Sequence, residues 1–84
     1  MNTETTINGS LDICYKSGVG YLNGIYGYEK NPEKGLALIT QAADAGHLSA
    51  QRLLGALYFA GDKIAKNPGL AVYWYSKAAE QGDS

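Results

Sequence analysis

The chain has 84 residues, 45% of them hydrophobic, with seven Lys and Arg against eight Asp and Glu and a net charge of −1. That is enough for one small domain that folds, without the excess charge that draws a protein to nucleic acid or to an anionic membrane surface. Cys14 is the only cysteine, which excludes an internal disulfide and makes a reducing, cytoplasmic setting the expectation.

Residues 1–10, MNTETTINGS, form a polar segment with neither the basic nor the apolar region of a signal peptide. No run elsewhere approaches the length of a membrane span. Asn8-Gly9-Ser10 has the form of a glycosylation sequon, which carries no meaning without a secretion signal. The first helix follows, with Cys14 near its start. Gly18, Gly20 and Gly24 suggest a phosphate loop, but no strand precedes them and the helical register runs through them, so nucleotide binding is not expected. After a loop, Asn31 offers an N-cap oxygen and Pro32 fits the first helical position. The second helix then carries Leu36, Ile39, Ala42 and Ala43 on one stripe and closes at Gly46. His47 reads as a polar turn residue, with Asp83 as its counterpart in the repeat described below.

A third helix covers roughly residues 49–60, because Ala50, Leu53, Leu54, Leu57 and Tyr58 fall on one helical stripe. Gly61 ends it as a C′ residue, Asn67 caps the next helix, and Pro68 opens it. The fourth helix runs through Val72, Tyr75, Ala78 and Ala79 to Gly82, expected as another C′ glycine. No segment shows sustained strand alternation, so the fold class is all-α.

The second half repeats the first. Asn31-Pro32 returns as Asn67-Pro68, Ala42-Ala43 as Ala78-Ala79, and Gly46 as Gly82, each 36 residues later. Gly18, Tyr21 and Gly24 return as Gly55, Tyr58 and Gly61, 37 residues later, which places one extra residue in the loop between Gly24 and Asn31. The chain divides into a polar segment at 1–10, a first repeat at 11–47 and a second at 48–84. LLGALYFAG followed by NPGLAVYWYSKAAEQG resembles the Sel1-like repeat, a relative of the tetratricopeptide repeat. The residues that carry the resemblance are Leu54, Gly55, Tyr58, Gly61, Ala71, Trp74, Tyr75, Ala78, Ala79 and Gly82. The first copy is degenerate: Ser17 replaces the leucine, Gly35 the first alanine, and Leu38-Ile39 the tryptophan-tyrosine pair. The resemblance implies two helix-turn-helix units stacked as a short right-handed α-solenoid, with Tyr58, Trp74 and Tyr75 in its core. Gly18 and Gly55, unfavourable in helices, are expected where two backbones cross. The paired alanines are expected where the second helix of each repeat meets its neighbours.

The sequence offers no catalytic set. Cys14 lacks a base beside it, His47 is the only histidine, and Glu29 with Glu33 is explained by the helix start they flank. No metal, no cofactor and no enzymatic activity are expected. Tyr15, Val19 and Leu22 on the first helix stand in register with Arg52, Ala56 and Phe59 on the third. These six form a candidate apolar-aromatic strip for a protein or peptide partner, to which the loop residue Tyr28 is added, since interfaces favour aromatics and Arg. In repeats of this kind the first helices line the concave, binding surface. The resemblance therefore implies a protein-binding adaptor or scaffold. An immunity protein that neutralises a toxin by binding it is the alternative, and a hydrolase is disfavoured by the missing catalytic set. The last helix is too apolar to face water on both sides, so its outer face is expected to be covered by a partner, a second copy or further repeats.

Overall fold

A computed structural model describes the backbone of residues 3–82 and the side chains of residues 10–82. Four helices follow one another: α1 (Thr3–Asn23), α2 (Pro32–Asp44), α3 (Leu48–Ala60) and α4 (Pro68–Gly82). No strand occurs among the described residues. α1 packs on α2 and α3 on α4, and a smaller α2–α3 contact joins the two hairpins. The Cα extents are 41 × 34 × 14 Å, so the chain is a thin slab.

The helix ends follow from their capping residues. Asn31 Oδ1 accepts from Lys34 N–H at 3.2 Å and Asn67 Oδ1 from Leu70 N–H at 3.1 Å, which satisfies a free donor in each first turn. Pro32 and Pro68 occupy the first helical position, where no N–H is needed. Gly46 has φ +100°. Around it, His47 N–H donates to Ala42 C=O at 3.0 Å and Gly46 N–H to Ala43 C=O at 3.0 Å, the paired bonds of a Schellman motif. Gly61 ends α3 in the same left-handed region. Gly82 differs: it is the last residue of α4 and does not take a left-handed φ, so the expected C′ role at Gly82 is not fulfilled. α1 already includes Thr3, which places Cys14 in mid-helix and not near the helix start.

The core joins Leu22, Ile39, Ala42, Ala43, Ala50, Leu54, Leu57 and Trp74, with contributions from all four helices. Close approach of α1 and α2 depends on two glycines. A Cβ on Gly35 would lie 2.6 Å from Gly18 C=O and 2.6 Å from Leu22 N, so backbone meets backbone there. Gly55 works differently. A Cβ there would meet the ring of Tyr75 at 2.8 Å, so this glycine seats an aromatic ring and is not a backbone crossing.

Candidate functional site

The seven residues of the expected strip do not share one surface. Leu22 is 1% exposed and belongs to the core, so it is not a binding residue. Tyr28 is half-buried: its hydroxyl lies 3.0 Å from Ser17 Oγ, and its ring packs tilted on Tyr21. Val19 packs against the core cluster. Tyr15 stacks on His47 with ring centroids 4.9 Å apart. Arg52 and Ala56 are exposed, and Phe59 is 64% exposed. The two halves separate by their contacts. Tyr15 reaches the start of α3 through His47, Val19 packs against the core and Leu22 lies in it, whereas Arg52, Ala56 and Phe59 stay open to solvent.

The second helices show the same asymmetry. Ile39 is fully buried and Ala43 is 1% exposed, whereas their counterparts 36 residues on are Tyr75, 43% exposed, and Ala79, also exposed. Leu36 is half-buried, and its counterpart Val72 is 65% exposed. Tyr75 lies at the surface and not in the core, and Ala79 is exposed while Ala42, Ala43 and Ala78 are buried. Trp74 does take its core place, and Tyr58 is half-buried against the same cluster.

These residues build one feature. Arg52 from α3 and Tyr75, Ala78, Ala79 and Gly82 from α4 line an open groove of about 520 Å³. Phe59 lies two helical turns along α3 from Arg52, on the same side of that helix. The groove has a floor of small residues, an aromatic wall and a guanidinium, a chemistry suited to a side chain or helix of another polypeptide.

His47 does more than a turn residue. Its Nδ1 accepts from Ala50 N–H at 3.1 Å and so caps α3. Its Nε2 lies 2.6 Å from Asp12 Oδ1, and its ring lies on Tyr15. With Nδ1 accepting, Nε2 carries the proton and donates to the carboxylate. One imidazole thus pins the first repeat to the first helix of the second. Its counterpart Asp83 lies outside the described residues. Gln81 adds a second tie, donating to Gly46 C=O and to Gln51 Oε1, both at 2.9 Å, while the buried Gln51 donates to Ala43 C=O at 3.0 Å. Nothing in the sequence periodicity marked His47 or Gln51, because His is not among the preferred caps and Gln51 sits inside a helix.

The Sγ of Cys14 donates to Leu38 C=O at 3.2 Å. Among the described residues no group of three or more His, Cys, Asp or Glu stands close enough to hold a metal. None of their helices is long and apolar enough to cross a membrane.

The model of one repeat family, described as the Sel1 repeat, matches residues 13–47 and again 48–83. Neither the curated proteins nor the solved structures searched contain a match to the chain.

Proposed function

Because the chain belongs to the Sel1 repeat family, whose repeats are protein–protein interaction modules and are not catalytic, we propose that it acts as an adaptor that holds a protein partner on its C-terminal face. The supporting observation is the contrast between equivalent positions. Leu22, Ile39 and Ala43 are covered, while Phe59, Tyr75 and Ala79 in the same register are open. Apolar surface grouped in this way marks an interface more often than solitary exposed residues do. Of the strip read from the sequence, Arg52, Ala56 and Phe59 are the contact residues in this reading, joined by Val72 and Tyr75. Tyr15 and Val19 support the fold between the repeats. The single thiol, half-buried and donating to a carbonyl, suits a reducing cytoplasm.

The test is a quantitative capture with the native chain and with the double variant Phe59→Ala, Arg52→Ala as baits. Both side chains are exposed, so the double variant should keep its helical spectrum. It should lose the partner, with hot-spot losses of roughly 2 kcal/mol or more per residue. Undiminished capture by the folded double variant would refute the reading. Capture of a toxin by the native chain would identify the adaptor as an immunity protein.

A further inference from the structure

The exposed row of α4 is graded in size. Its N-terminal half carries Val72 and Tyr75, and its C-terminal half carries Ala79 and Gly82, which floor the groove beside Arg52. A helix face that is large at one end and small at the other is complementary to itself when turned end for end, because large residues then meet small ones. We propose that the occupant of this face is a second copy of the same chain, with the two α4 helices antiparallel about a two-fold axis. The proposal rests on the reading of this face as the binding surface. In this arrangement the exposed edge of each Tyr75, whose ring stays seated on Gly55 of its own chain, lies against Ala79 of the other copy, and Val72 lies against Gly82. Arg52 then faces the incoming tyrosine ring, a cation–π pairing. The same patch is used on both copies, so the assembly closes at two.

Among the described side chains, the opposite end of the slab does not offer a matching partner. Within the chain, α3 fills the face of the first repeat with Ala50, Leu54 and Leu57, all buried. The residues 37 positions earlier on α1 are Ile13, Ser17 and Gly20. Both leucines are missing, the Ser17 hydroxyl is engaged by Tyr28, and the Tyr28 ring lies over Gly20. A head-to-tail stack would therefore meet a face without the apolar side chains that make the internal junction. The antiparallel pairing needs none of them. Phe59, Val72 and Tyr75 each leave roughly 100 Å² open, judged from their exposure and the size of such side chains. With Arg52, Ala56 and Ala79, two copies would bury on the order of 1,000 Å², near the lower limit of specific interfaces. The dimer is therefore weak and follows concentration.

Sedimentation velocity over roughly 1–500 µM reads this equilibrium. The expected result is a reversible monomer–dimer transition that stops at two copies. Val72 lies outside the core cluster, so Val72→Glu should keep the helical spectrum and move the midpoint at least about tenfold toward monomer. Register is read by disulfide trapping in a Cys14→Ser background. Tyr75→Cys and Ala79→Cys chains, mixed, should cross-link to each other faster than either does alone. If Tyr75→Cys does not fold, Val72→Cys with Gly82→Cys reads the same register. A chain that stays monomeric throughout overturns the dimer and leaves the adaptor reading to its own capture test. Oligomers that grow with concentration, or trapping of Ile13→Cys to Ala79→Cys, overturn it in favour of a head-to-tail stack.

Discussion

Gly35→Ala sets two physical effects against each other in one substitution. Sel1-like repeats carry alanine at this position, as the second repeat does with Ala71, and alanine is the better helix former by about 1 kcal/mol. On propensity alone the variant should be more stable. The structure reverses the sign. The new methyl would meet Gly18 C=O at 2.6 Å, Leu22 N at 2.6 Å and Leu22 Cα at 2.9 Å. All three are backbone atoms, so no side chain can swing away and α1 must separate from α2. Overpacking of this kind costs roughly 1–3 kcal/mol, and contact with rigid backbone places it at the upper end. After the propensity gain, a net loss of about 1–2 kcal/mol remains. For a domain of this size that lowers Tm by roughly 5–15 °C. Urea unfolding followed by circular dichroism measures the loss, and Gly69→Ala is the control. A Cβ on Gly69 has Asn67 Oδ1 at 3.4 Å as its nearest contact, so that variant should match the native chain or gain up to about 1 kcal/mol. If Gly35→Ala is as stable as Gly69→Ala, the helices do not cross at Gly18 and Gly35.

Three further outcomes follow from the packing. Trp74 is buried in the shared core, so Trp74→Ala should cost roughly 3–5 kcal/mol, against a total of roughly 4–13 kcal/mol for a chain this long; its circular dichroism melt should be largely lost, and an unchanged Tm would contradict the core placement. Ala78→Leu, at a buried site, should cost roughly 1–3 kcal/mol, while Glu80→Leu, at an exposed one, should be nearly neutral; equal losses in urea would mean that the phase of α4 is wrong. His47→Ala should cost roughly 1–2 kcal/mol through the lost cap, and His47→Asn, which can still cap, should recover part of it in the same denaturation assay.

Much of the fold was legible because its signals are local. Asn31, Asn67, Pro32 and Pro68 fix helix starts by their own side-chain chemistry, and Gly46 and Gly61 fix helix ends by their own φ. The repeat offset paired each helix with its counterpart and predicted the longer loop after Gly24. Long-range relations were harder to read. Leu22 and Phe59 share a register position, yet one is core and the other surface, and the repeat register alone does not distinguish them. The resemblance likewise places Tyr75 in the core, where the structure leaves it 43% exposed. His47 was read as a turn residue because its contacts to Asp12 and Tyr15 span more than thirty residues. The reach of α1 back to Thr3 has no apolar periodicity to announce it. Half of the candidate site, Arg52, Ala56 and Phe59, was visible as a strip. Its continuation onto Val72 and Tyr75 needed the packing of α3 against α4.

The C-terminal face of the second repeat is the proposed interface, exposed at Phe59, Tyr75 and Ala79 where Leu22, Ile39 and Ala43 of the first repeat are buried. One paired measurement tests it most directly: unfolding free energy and partner capture, on the same samples, for Ala43→Glu and Ala79→Glu. The two sites are 36 residues apart in the repeat, one 1% exposed and the other exposed. Ala43→Glu should fail to fold, because it buries an unpaired carboxylate at a cost of several kcal/mol. Ala79→Glu should unfold like the native chain and lose its partner. If Ala79→Glu is as damaging to folding as Ala43→Glu, or if it folds and captures the partner undiminished, the face is not the binding surface.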